Sequence, residues 1–220
     1  MAFKSHAQLW QEALQHFELG RYQSSETLCR KLLKVDRRNA DILHLAALTS
    51  LRQGKTKQAI KLQQKAIKSR PSDASLHFNL ANMLAETSQQ TEALPYYRKA
   101  NSLQPDTPML IQALIDCLTS IDKLRGAARH YSPELEEAAD LANRLFKVDE
   151  NPARAGLCLA EILLSLERMD EAETVLRNVL DRVQQHVPIQ LAMVEVFMDT
   201  GRFEEAESLW LESNAAEVAE

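Results

Sequence analysis

One interval constrains this chain more than anything in its composition. Ala59, Ala66 and Pro71, in the stretch AIKLQQKAIKSRP, return 34 residues later as Ala93, Ala100 and Pro105 in ALPYYRKANSLQP. Gly20 and Gly54 are separated by the same 34 residues, and Gly201 stands in a similar setting further on. Self-similarity at a period of 20 to 50 residues points to a repeat architecture before any other reading is tried. On this ruler the chain divides into units 6–39, 40–73, 74–107, 108–152, 153–186 and 187–220. Five of them hold 34 residues and the fourth holds 45, which uses residues 6 to 220 completely.

Each unit carries two runs of apolar residues at helical spacing with a break between them. In 40–73 the first run is Ile42, Leu43, Ala46, Ala47 and Leu51, ending near Gly54. The second is Ala59, Ile60, Leu62, Ala66 and Ile67, ending before Pro71. Glycine supplies the left-handed residue that closes a helix. Proline has no N–H to donate and biases the residue before it out of the α region. The recurring alanines let neighbouring helices approach closely. Such a hairpin cannot bury its apolar side alone and must stack on copies of itself.

Composition agrees with an all-α chain. Only 5 Gly and 7 Pro occur in 220 residues, and strong helix formers dominate. No window alternates polar and apolar residues long enough for a sheet. The amino terminus shows no secretory h-region, and no run of 18 apolar residues predicts a membrane span. Cys29, Cys117 and Cys158 are far apart and odd in number, so disulfide and zinc readings both fail, and small buried thiols in a reducing cytoplasm are expected. No nucleophile elbow, phosphate loop, zinc-protease motif or calcium loop is present. The six histidines form no metal-spaced set, so no cofactor, no metal and no catalysis are expected.

The pattern resembles the tetratricopeptide repeat family. Units 40–73 (Ala47, Gly54, Ala59, Ala66, Pro71) and 74–107 (Leu80, Ala81, Ala93, Tyr97, Ala100, Pro105) carry it best. Units 6–39 and 187–220 keep the turn glycine and the aromatic after it (Gly20, Tyr22; Gly201, Phe203) but lack the closing proline, and unit 153–186 has Glu167 in the glycine place. The resemblance implies a right-handed α-solenoid of six antiparallel helix hairpins, a single array whose first helices line an inner groove for a peptide or a partner helix.

It further implies that the second, fifth, ninth, twelfth and thirteenth places of each unit face that groove. The fifth place reads Trp10, His44, Phe78, Gln112, Leu157, Leu191, and the ninth Leu14, Leu48, Asn82, Asp116, Glu161, Glu195. Phe17 and Leu51 lead the twelfth column; Arg52, Glu86 and Asp199 belong to the thirteenth. The expected groove is therefore aromatic and apolar at its start, polar around Asn79 and Asn82, and acidic with apolar patches beyond. An asparagine offers both donor and acceptor to a peptide backbone. The ladder of asparagines found in some members is absent, since the Asn79 column reads Gln11, Leu45, Asn79, Ala113, Cys158, Ala192. The family's lysine–asparagine clamp for a peptide carboxyl terminus is absent too, because Trp10 and Leu14 hold its places. A partner presenting large apolar and basic side chains fits these columns; the competing reading is that Leu14, Leu48 and Trp10 pack between helices while the acids keep the array in solution.

Charge is divided unevenly. Residues 1–110 hold 16 Lys and Arg against 9 Asp and Glu, whereas residues 111–220 hold 10 against 22. Lys57, Lys61, Lys65 and Lys68 form one stripe on the second helix of unit 40–73, joined by Arg30, Lys31 and Lys34. No aromatics interleave with them and the chain as a whole is acidic, which argues against nucleic acid. Three features remain. The fourth unit carries 11 extra residues near 122–132, expected as a longer connection between its helices or as a binding loop. Leu209, Trp210 and Leu211 in the final helix have nothing after them to cover them, so pairing of two copies through this end is expected as one option. The same feature fits an alternative in which the chain is the amino-terminal, substrate-recruiting arm of a larger enzyme such as a glycosyl- or sulfotransferase.

Overall fold

The computed structural model describes residues 5–125, 132–149, 151–183 and 186–217, the last four without their side chains. Among these residues there are twelve helices and no strand: α1 (His6–Glu18), α2 (Tyr22–Val35), α3 (Ala40–Arg52), α4 (Thr56–Ser69), α5 (Ala74–Ala85), α6 (Gln90–Leu103), α7 (Pro108–Arg125), α8 (Pro133–Val148), α9 (Pro152–Ser165), α10 (Met169–Leu180), α11 (Val187–Asp199) and α12 (Phe203–Glu217). They fall into two compact units, Met1–Pro105 and Asp106–Glu220.

In the first compact unit α1 packs on α2, α3 on α4 and α5 on α6, and each hairpin leans on the next through α2 against α3 and α4 against α5. The second repeats this with α7 on α8, α9 on α10 and α11 on α12, linked through α8 against α9 and α10 against α11. The alanines that mark the ruler sit at these contacts: Ala47, Ala59, Ala66, Ala93 and Ala100 are all fully buried.

Local chemistry explains where each helix starts and stops. First helices α1, α3, α5 and α9 are capped by side chains, whereas α11 has no side-chain cap. Ser5 Oγ accepts from the N–H of Gln8 at 3.2 Å while Gln8 Oε1 accepts from the N–H of Ser5 at 2.8 Å, a reciprocal pair that satisfies two otherwise orphaned donors. Asn39 and Asp73, spaced on the same ruler, cap α3 and α5. Second helices α2, α4, α6 and α10 have no side-chain cap and follow directly from the turn.

That turn needs a left-handed residue at the fifteenth place of the unit. Gly20, Gly54 and Gly201 provide it with φ near 70°. Ser88 and Glu167 occupy the same place with φ of 58°, a conformation in which their Cβ crowds the backbone. The turn geometry therefore persists where the glycine has been lost.

In the fourth hairpin α7 continues to Arg125, so the first residues of the expected insertion extend that helix; residues 126–131 lie outside the described residues. Ser132 then caps α8, accepting from the N–H of Leu135 at 3.3 Å, with Pro133 in the first turn. Cys29 and Cys117 are buried as expected, while Cys158 is only partly so. No helix among the described residues is long and apolar enough to cross a membrane.

Candidate functional site

The first helices α1, α3 and α5 bring the aromatic and apolar columns of the first compact unit to one side of their hairpins. Trp10 is half-buried and packs against the core formed by Ala13, Ile42 and Leu45. Its outer edge meets His6, Ala7, Asn39, Asp41 and Ile42 around a depression of about 450 Å³. Phe17 packs against the same core and tilts on Tyr22, with ring centroids 5.7 Å apart. Leu48 and Leu51 lie against Ala47, Ala59 and Met83. These side chains thus pack on the core and remain partly open.

The polar groups beside them are held from behind by the second helices. Gln63, on α4, is fully buried. Its Nε2 donates to the Leu76 carbonyl at 2.8 Å, which leaves Oε1 to accept from His44 Nδ1 at 2.8 Å. Because Gln63 Oε1 can only accept, His44 carries its proton on Nδ1, and when the ring is neutral Nε2 is an acceptor. One repeat later Tyr97 takes the place of Gln63. Its hydroxyl donates to Asn82 Oδ1 at 2.7 Å, and its ring meets Phe78 edge-on at 6.0 Å. The Asn82 carbonyl oxygen is thereby engaged, which leaves its amide N–H₂ to donate elsewhere. Asn79 is half-buried with no side-chain hydrogen bond among the described residues. Arg52 and Glu86 are exposed where α3 and α5 end; Arg52 borders a depression of about 500 Å³ with Gly20, Arg21 and Tyr22.

In the second compact unit α7 and α9 bring Gln112, Asp116, Cys158 and Glu161 together. Gln112 Nε2 donates to Asp116 Oδ1 at 2.9 Å and reaches Cys158 Sγ at 3.9 Å. Burial first, then the charges of Asp116 and Glu161, push the Cys158 thiol above its ordinary value, against the opposing hydrogen bond from Gln112. Their fields therefore converge on one spot. Glu195 and Asp199 are exposed on α11, which packs beside α9. Leu191 and Met198 on the same helix are also exposed. In α12, Trp210 is 49% and Leu211 55% exposed, while Leu209 borders a cleft of about 510 Å³ with Leu180, Met193 and Phe197. Among the described residues no group of His, Cys, Asp or Glu is arranged to hold a metal ion.

Sequence reading alone missed the polar groups that join one hairpin to the next. Glu26 is buried, accepting from Arg30 Nη2 at 2.9 Å and from Lys55 Nζ at 2.9 Å. Glu173 accepts from Arg177 at 2.6 Å and from Arg202 at 2.7 Å. Glu26 and Glu173 stand at place 21 of their units, and Lys55 and Arg202 at place 16 of the next. The columns held this signal, though only once read across two units rather than within one.

Family comparison matches a tetratricopeptide repeat description to residues 11–74 and 44–108, and a second such description to residues 163–212. Together these cover more than half of the chain. The chain belongs to the tetratricopeptide repeat family. Solved structures agree on the fold of these repeats. Similar chains include one from the structure of Naa15/Naa10 bound to HypK-THB (TM-score 0.72, 16% identity, covering 93% of this chain and 30% of that one). YrrB, described as a TPR protein with an unusual peptide-binding site, gives TM-score 0.66 at 16% identity over 84% of this chain and 90% of that one. A tetratricopeptide repeat protein from Parabacteroides merdae gives TM-score 0.66 at 14% identity over 96% and 79%. The chain thus spans less than a third of the Naa15/Naa10 chain but most of the other two. No curated protein sequence matches significantly. Tetratricopeptide repeats are protein-interaction scaffolds, and this chain is built as one.

Proposed function

We propose that this protein is a non-catalytic, cytoplasmic adaptor that holds an extended peptide or a helix of a partner protein against the first helices of its hairpins. The observation that carries this reading is the set of half-open side chains at repeating places, each held from behind: Trp10 on its core, His44 on Gln63, Phe78 and Asn82 on Tyr97. Side chains preorganised in this way lose little freedom on binding. When the His44 ring is neutral its Nε2 accepts, and the Asn82 amide donates, which suits the N–H and C=O groups of an extended backbone. In the second compact unit Asp116, Glu161, Glu195 and Asp199 favour a segment carrying Lys or Arg. Aromatic anchors of this kind dominate affinity where they fill pockets, and rim charges mainly set encounter rate and register.

Selection from a random peptide display library tests the reading. Recovered peptides are expected to pair aromatic or large aliphatic residues with Lys or Arg. Recovery of no binder, or of peptides without that composition, contradicts it.

The exposed Trp210 and Leu211 support a further contact at α12, with a second copy or with additional polypeptide. A self-association that survives high salt and is lost in W210A/L211A supports pairing there; a strict monomer removes the pairing option.

A further inference from the structure

The second helices of the first compact unit carry a ladder that the groove reading does not use. Lys31, Lys65 and Lys99 recur at the 34-residue interval on α2, α4 and α6, and all three are exposed without an ion-pair partner. Lys34 and Lys68 form a second, shorter column beside them. Lys57 and Lys61 extend it along α4, on the side opposite the buried Ala59 and Ala66. No acidic residue occurs in α4, and the single acid of α2, Glu26, is buried and already paired. Residues 1–105 hold 16 Lys and Arg against 8 Asp and Glu. Seven unneutralised ammonium groups on one side of three neighbouring hairpins repel one another, and an anionic partner relieves that repulsion.

The chemistry of this face narrows the partner. Base stacking needs exposed aromatic rings, yet Tyr22 is packed on Phe17, Tyr96 is half-buried beside His77, and Tyr97 is buried. Docking into a lipid surface needs exposed apolar side chains among the cations, and the large ones exposed among the described residues of this unit, Leu19 and Val35, sit at helix ends. A folded acidic protein face remains, and the chain itself supplies one. Residues 106–220 hold 10 Lys and Arg against 23 Asp and Glu. Asp170, Asp181, Glu204, Glu207 and Glu212, on or next to α10 and α12, are exposed and have no ion-pair partner. On α12 the three glutamates lie opposite the buried Ala206 and Ser213. They span about 12 Å of helix against about 16 Å for Lys57 to Lys68 on α4.

We infer that the lysine ladder of one copy docks on the acidic α10–α12 face of another. Two different surfaces meet in such a contact, so it is heterologous. It closes into a ring where its rotation allows and otherwise grows into an open chain. Exposed charges more than about 10 Å apart are screened at 0.1 M salt, so the contact belongs to low ionic strength and high local concentration.

Light scattering of the full chain tests this at about 20 mM and about 300 mM NaCl, conditions that span the screening range. Wild type is expected to gain mass with concentration at low salt, and to associate at least tenfold more weakly at high salt. The variants K31E/K65E/K99E and D181K/E207K/E212K, all at exposed positions, each associate at least tenfold more weakly alone. An equimolar mixture of the two recovers association, because the reversed faces complement each other. A monomeric wild type at low salt overturns the proposal. So does association indifferent to salt and to the lysine reversals, which assigns pairing to Trp210 and Leu211 instead. A monomer whose lysine face binds a single-stranded oligonucleotide overturns it in favour of nucleic acid.

Discussion

Glu26 reaches across a hairpin boundary to Lys55 at 2.9 Å, and Glu173 repeats the contact with Arg202 at 2.7 Å. In each case the acid and the base stand at the same places of their units, so one electrostatic joint occurs in both compact units. Both carboxyls are held below their ordinary value, Glu26 chiefly by the hydrogen bond from Lys55 and Glu173 chiefly by that from Arg202, with burial opposing each.

A depressed folded value means that the stabilisation is complete above the unfolded value and is lost as pH falls through the folded one. The joint at Glu26 is therefore fully present above about pH 5.5 and fades below the ordinary glutamate value near 4.5. Glu26→Gln keeps the shape and removes the charge. Denaturant unfolding is expected to show it less stable than wild type by about 1–2 kcal/mol at pH 7, with the difference shrinking steadily between pH 5 and pH 3 as wild type loses the same charge. A difference that stays constant over that range would sink the assignment.

Ser88 and Glu167 hold a left-handed conformation that their siblings give to glycine. An L-residue pays about 1–2 kcal/mol there, and glycine returns part of that through the freedom it adds to the unfolded chain. Ser88→Gly and Glu167→Gly are each expected to stabilise by about 0.5–1 kcal/mol. Thermal unfolding reads this as a rise in Tm; a fall in both variants contradicts the account of the turn.

Gly156 marks a close approach of α9 to Val179 and Phe146 in the second compact unit. A Cβ placed there would sit 2.3 Å from Val179 Cγ2 and 3.2 Å from the Phe146 ring. Gly156→Ala is expected to destabilise by about 1–3 kcal/mol through overpacking. Val179→Ala opens the space, so the double variant should lose less than the sum of the singles, and strict additivity in a double-mutant cycle would contradict the close contact.

These cases show which parts of the molecule were legible in the amino-acid order. Hairpin boundaries were plain because glycine, proline and small residues act locally and recur at one spacing. The left-handed Ser88 was invisible, since tertiary packing imposes a backbone shape that serine does not prefer. Buried Gln63 looked like one more polar residue among the lysines of α4; only the position of the Leu76 carbonyl reveals why it goes inside. Likewise the candidate groove was readable as columns, but whether Trp10, Leu48 and Leu51 open outward or pack inward depended on neighbours two helices away. They do both.

The central claim is that the half-open first-helix columns recognise a partner. Affinity of a display-selected peptide, measured by calorimetry against wild type, W10A/F78A and D116K/E161K/E195K, tests it most directly. The account predicts at least a tenfold loss for the aromatic pair, about 1.4 kcal/mol or more, and a smaller, salt-dependent loss for the acidic triple. Unchanged affinity in both variants, with folding intact, would contradict it.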